Sequence, residues 1–235
     1  MTIAVLGATG MVGSRVVGEA AARGHRVLAL SRKPPDPEQA PNVTPVAVDA
    51  NDAAALREAF TQRGADAVVL TVRTHPVDPQ FLVGATRAVL DVAARLGIRI
   101  LVVGGAGALR SPDDRDVLVA DNPAYVPAEW RAVAAAGTAQ LRTCQAHPDA
   151  DWAYLSPPAL LEPGERTGRY RRGTDTLLTG ADGRSWISAE DLAVAVVDEL
   201  ETCGPGRQIQ GVRGSRHFTV VHGDESPAVP DPARP

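Results

Sequence analysis

The chain lacks most of the features that mark specialised protein classes. Its two cysteines, Cys144 and Cys203, are spread over 235 residues. They have no metal-ligand spacing and are too few for the disulfide framework of a secreted domain. No apolar run approaches the roughly 20 residues that a membrane helix needs. The N-terminus carries neither the basic segment nor the long apolar segment of an export signal. The chain therefore reads as cytoplasmic, with no membrane partner. Its formal net charge is −4, so no basic excess points to nucleic acid. No nucleophile elbow, metal cluster, pair of catalytic carboxylates or internal repeat stands out. The balance of 44% apolar and 22% charged residues is that of an ordinary globular protein.

What the chain has is alternation. Short apolar runs predict strands at Thr2–Leu6, Arg26–Leu30, Thr44–Asp49, Asp66–Val72, Arg99–Gly105 and Trp152–Ser156. Between them, helical spacing covers Met11–Arg23, Ala53–Arg63, Pro79–Leu96 and Ala128–Ala146. Gly24 and Gly97 close the first and third of these helices, and Asp52 caps the second. A further helix, Ala189–Glu201, begins behind Ser188 with Glu190 and Asp191 in its first turn. The strands are continuously apolar, as a parallel sheet covered on both faces requires. The expected fold is α/β, a Rossmann-type doubly wound parallel sheet with a small C-terminal substrate lobe, forming one domain over residues 1–222. Residues 157–185 form a turn-rich excursion with little core to offer, placed to cover the open edge of the main site. "RQIQGV" and "RHFTVV" read as closing strands, and residues 223–235 as a disordered tail.

The stretch "IAVLGATGMVGSRV" (Ile3–Val16) sets three glycines between the first strand and the first helix. Gly7 allows a tight turn with positive φ. Gly10 lets backbone approach a diphosphate, and Gly13 lets helix and strand pack closely. The bare helix N-terminus then presents amide hydrogens and partial positive charge to phosphate. This predicts a dinucleotide site. The second strand ends in Ser31-Arg32-Lys33, where an NAD site would place an acid for the ribose 2′-hydroxyl. Arg32 and Lys33 attract a 2′-phosphate, which favours NADPH over NADH. Asp49 fits an acceptor for the adenine amino group, or else a cap on the turn that follows it. The nicotinamide should lie beyond the strand ends, at Thr71-Val72-Arg73, at Gly104-Gly105-Ala106 and at Ser156-Pro157-Pro158. Gly104 and Gly105 take side chains away where a ring could approach.

The opening "LGATGMVGSRVVGEAAARGHRVLALSRKP", with "VVGGAGAL" (Val102–Leu109), the Trp152–Leu178 block and "SWISAEDLAVAVVDELE" (Ser185–Glu201), resembles the atypical short-chain dehydrogenase/reductases. Within them it is similar to the NmrA-like, NADH-flavin reductase and biliverdin-IXβ reductase group. The resemblance implies a single Rossmann-type domain with NAD(P)H held along Gly7, Thr9, Gly10, Met11, Val12, Gly13, Arg32, Asp49, Thr71 and Gly104. It also implies an NAD(P)H-dependent oxidoreductase that passes hydride to a flavin or another planar conjugated acceptor. The chain departs from the larger family in one respect. Tyr125, Tyr154 and Tyr170 are followed four residues later by Glu129, Pro158 and Thr174, so Tyr-x-x-x-Lys is missing. Flavin reduction asks less of the protein, because ring stacking and positioning carry most of the rate. Two other readings stay open: a regulator that senses NADPH without catalysis, and a tailoring reductase or epimerase-like enzyme of secondary metabolism.

Candidate catalytic groups are few. His75, just past the fourth strand, and Tyr125 are the candidates for a proton donor. Tyr125 and Trp130 suit an aromatic wall for a planar substrate, or packing beneath the lobe. Arg73 suits a phosphate, an acidic substrate or Asp78. Glu162, Glu165 and Arg166 stand where a substrate contact or an ordinary surface loop would be. The expected partner is a small planar acceptor, on a monomer or homodimer, with no metal.

Overall fold

The computed structural model describes residues 1–34, 40–202 and 216–223. At its centre lies β1 (Thr2–Leu6), parallel to β2 (Arg26–Ser31) on one side and to β4 (Ala67–Leu70) on the other. The register aligns Leu6 with both Leu30 and Leu70, so all three strands end at one level. β3 (Val43–Ala47), β5 (Arg99–Val103) and β6 (Trp152–Ser156) extend the parallel sheet outward. The eight-stranded order is β3-β2-β1-β4-β5-β6-β10-β8, in which β10 (His217–His222) runs parallel to β6 and β8 (Tyr170–Gly173) is an antiparallel edge. The strand order turns back at β1 and β4, and a doubly wound sheet binds its ligand at that switch point.

Successive strand residues face opposite sides. Ala4 and Leu6 meet α2 (Ala53–Gln62), α3 (Pro79–Leu96) and α4 (Arg131–Ala146), in a core with Leu56, Phe60, Val89 and Leu90. Ile3 and Val5 meet α1 (Met11–Ala22) and α5 (Ala189–Thr202), in a core with Val16, Leu192 and Val196. The central strands β1, β4 and β5 therefore have to be apolar on both sides, as their sequences are. Asp52 and Asp78 cap α2 and α3, and Gly97 closes α3 with a left-handed φ of 66°.

The turn-rich block departs from expectation. Besides β8 it contributes β7 (Leu160–Glu162), which pairs in parallel with β9 (Trp186–Ser188), just past the block, as a small second sheet. It adds the buried Leu177 to the core, and Ile187 is buried just past its end. "RQIQGV" and the tail beyond Gly223 lie outside the described residues. Among the described residues no helix is long and apolar enough to cross a membrane.

Candidate functional site

The corner between β1 and α1 is tightly built. Gly7 has φ of 83°, and a Cβ there would lie 2.8 Å from Thr71 Oγ1. The Gly7 and Ala8 amides both donate to the Leu30 carbonyl, at 3.0 and 3.2 Å, which fixes the turn against β2. Gly10 N–H donates to Gly7 O at 2.9 Å. A Cβ on Gly13 would sit 2.1 Å from that same oxygen, so α1 could not approach β1 with any larger residue there. No side chain caps α1, whereas aspartates cap α2 and α3. Its first-turn amides are left for a ligand.

Gly10, Met11 and Val12 open onto a cavity of about 1170 Å³ at the carboxyl ends of the strands. That exceeds the roughly 300–1,000 Å³ of a single small-molecule pocket, and leaves room for a dinucleotide together with a second molecule. The lining brings together Gly7, Thr9, Arg32, Lys33, Thr71, Val72, Arg73, Gly104, Gly105 and Pro157. It also includes Ser31, whose Oγ is buried without a hydrogen-bond partner among the described residues. This hydroxyl, which can both donate and accept, precedes Arg32 and Lys33 in the chain. A buried polar group costs free energy until it is satisfied.

Three expected cofactor residues lie outside the lining. Gly13 acts underneath, as the packing glycine. Asp49 caps its own turn, its Oδ1 accepting the Asn51 N–H at 2.9 Å. Ser156 is fully buried, with Oγ 2.9 Å from His217 Nε2. Burial pushes the His217 pKa down, so this buried imidazole is held neutral. The two adjacent glycines also divide their work. A Cβ on Gly104 would fall 1.8 Å from the Tyr154 hydroxyl, so Gly104 is required by the tyrosine beneath it. Only Gly105 has open space around such an atom, the space a ring would need.

Part of the cavity wall is apolar. Met11, Trp130 and Leu160 are large hydrophobics left 37%, 57% and 46% exposed, and all three line it. Tyr125 lines it too, with its hydroxyl 3.1 Å from both carboxylate oxygens of Asp113. Burial and then Asp113 raise the Tyr125 pKa, which makes the phenol a weaker acid. Tyr154 is buried, donates to Gly137 O at 2.9 Å, and has its pKa raised chiefly by burial. Its neighbour Gln140 reaches the cavity wall and donates to Thr86 Oγ1 at 3.1 Å. His75 is exposed and outside the lining, and Asp78 is engaged in capping α3. No group of three metal-ligating side chains occurs among the described residues.

The covering excursion is shorter than expected. Residues 157–162 line the cavity, but the chain then turns away. Arg166 grips Glu19 of α1 through two nitrogens, at 2.7 and 2.8 Å. Thr167 Oγ1 and Gly168 N donate to the buried Asp191, and the Tyr170 hydroxyl donates to Asp198. Glu165 offers its carbonyl to Ser188 Oγ. These anchors fix residues 163–173 to α1 and α5, behind the site. Of the expected contact group, only Glu162 reaches the cavity. Ser31, Gln140 and Asp113 were missed as site residues. Only Ser31 had a sequence signal, its place at the end of β2.

Comparison with known proteins places the chain in a family. A model described as NAD(P)H-binding matches residues 7–202. Protein YwnB of Bacillus subtilis is 34% identical over 203 residues, covering 86% of this chain and 92% of that protein. A Streptomyces protein named 3-diazoavenalumate denitrifying reductase is 30% identical over 231 residues, covering 88% of this chain and 74% of its own length. Among solved structures, a Streptococcus pneumoniae protein provisionally named an NADH-flavin reductase is 28% identical. It superimposes with a TM-score of 0.75, covering 94% of this chain and 99% of that one.

Proposed function

This chain belongs to the NAD(P)H-binding family, and from that premise we propose an NADPH-dependent reductase that passes hydride to a flavin or another planar conjugated acceptor. The observation that carries the reading is the uncapped, side-chain-free start of α1 opening onto the cavity, with Ser31, Arg32 and Lys33 at the end of β2 beside it. The amides of Met11 and Val12 would meet the diphosphate. Ser31 Oγ and the Arg32 guanidinium would meet the 2′-phosphate, giving a buried hydroxyl its missing partner. Gly105 and Pro157 flank the space for the nicotinamide. When bound, the cofactor supplies a hydride at its ring carbon C4. The protein's part is to orient that ring, to hold a flat acceptor against it with Tyr125, Trp130 and Leu160, and to keep water out. The reductase names of the Streptomyces and Streptococcus relatives support reduction as the reaction class.

The test follows NADPH absorbance with FMN as acceptor. Turnover that saturates in both substrates supports the reading. Arg32→Glu should weaken NADPH at least tenfold more than NADH, because one attractive charge-assisted contact becomes a repulsive one. Equal losses would refute the NADPH preference. A second reading, a sensor that binds NADPH without turnover, draws on the commitment of the Tyr125 hydroxyl to Asp113. Tight NADPH binding with no oxidation across flavins and quinones would favour it.

A further inference from the structure

Four charged residues line this cavity, Arg32, Lys33, Arg73 and Glu162. Arg32 and Lys33 follow directly on β2. Arg73 lines the cavity as well, two residues past Thr71, whose Oγ1 donates to Leu6 O at 2.8 Å. The acid in the lining is Glu162, and Asp113 lies against the lining residue Tyr125. Where carboxylates pack against the helices, arginines answer them: Arg23 and Arg166 on Glu19, and Arg15 on Glu190. Asp113 and Glu162 have no such cation among the described residues. Glu162 stands on the cavity wall at the end of β7. Asp113 stands behind Tyr125, and both its oxygens take up the phenol hydrogen at 3.1 Å. A phenol that has given its hydrogen to an anion shows an electron-rich ring to the cavity. Beside it is Trp130, 57% exposed and the strongest cation-binding ring type.

We propose that the second molecule in this cavity is a flat aromatic cation, seated between the Tyr125–Trp130 wall and the Leu160–Glu162 strand. Two aromatic faces attract the positive ring, and Asp113 and Glu162 supply the opposing charge. This rests on the dinucleotide reading given above and narrows its acceptor. Reduction of such a cation needs hydride alone. A C–H bond forms at its electrophilic carbon, its positive charge is cancelled, and the dihydronicotinamide is oxidised to the nicotinamide cation. No proton enters or leaves. The step makes no demand on Tyr125, whose hydrogen is already placed.

The experiment compares two molecules of one shape, 10-methylacridinium and acridine, at about pH 8, where acridine is neutral. Each is titrated into the full chain saturated with 1,4,5,6-tetrahydro-NADP, which cannot give hydride, so binding is read without chemistry. The cation should bind at least tenfold more tightly than acridine. In the double variant Asp113→Asn/Glu162→Gln that preference should fall towards one, and Trp130→Ala should weaken both molecules. Equal or weaker binding of the cation overturns the inference. So does a preference that survives the double variant with its folding confirmed by circular dichroism. If the first titration shows no uptake of the tetrahydro dinucleotide, the dinucleotide reading fails and this inference with it, a result told apart from the others at that step.

Discussion

Exchanging glycine for alanine at two positions of α1 should give opposite results. Gly18 is exposed, and nothing lies within 4 Å of an added Cβ. Gly18→Ala should therefore return only the helix-propensity gain, roughly 0.5–1 kcal/mol. At a few degrees per kcal/mol for a chain of this size, the melting temperature should rise by about 1–4 °C. Gly13→Ala receives the same gain, but its Cβ would start 2.1 Å from Gly7 O, a backbone atom that cannot swing aside. Contacts below 3.0 Å essentially do not occur, so α1 must move by about 1 Å. Overpacking of this kind costs about 1–3 kcal/mol. The displacement should also cost one charge-assisted amide contact to the diphosphate, about 1.5–3 kcal/mol, which lowers NADPH affinity roughly 10- to 100-fold. Thermal melting and calorimetric titration read both effects. The reasoning is refuted if Gly13→Ala melts and binds NADPH like the wild type, or if Gly18→Ala loses as much as Gly13→Ala.

Other predictions concern the frame around the site. Glu19 is held below its ordinary pKa, most strongly by Arg166 and also by Arg23. A depressed carboxylate contributes stability above its unfolded pKa and loses it as pH falls through the folded value. Arg166→Ala should therefore lower the urea midpoint near neutral pH and shrink that difference towards about pH 3, and a difference independent of pH would contradict the assignment. Cys144 is buried, and burial pushes its thiol up to about 12; in a Cys203→Ser background it should resist Ellman's reagent until urea unfolds the chain, and fast labelling of the native protein would refute this. Tyr154→Phe removes the hydrogen bond to Gly137 O, so stability should fall by about 1 kcal/mol, read from the urea midpoint, while a loss near zero would deny that bond its role.

The parts of the fold read well in advance were those governed by local chemistry. Strands buried on both faces must be apolar throughout, and α2 and α3 carry aspartate caps with their hydrogen bonds in place. The glycine corner was legible because its spacing, Gly7 to Gly13, lies within seven consecutive residues, although Thr71 and Leu30 also hold it. β8 was not, because "YRRG" holds its place through long-range partners: pairing with β10, Arg172 over the Phe218 ring, and the Tyr170 hydroxyl on Asp198. The excursion reads as loose for the same reason, since Arg166 reaches Glu19 across 147 residues. Gly104 shows the limit of a correct residue with an incomplete reason. Its neighbour Tyr154 comes from another strand, and no local pattern announces it. Ser31, at the end of β2, needed the fold to show that its hydroxyl is buried and unmatched.

Calorimetric titration of the wild-type chain with NADPH tests the central claim most directly. One saturable site per chain is predicted, with weaker binding of NADH and a raised melting temperature in the complex. No heat and no thermal shift at millimolar nucleotide would contradict the account.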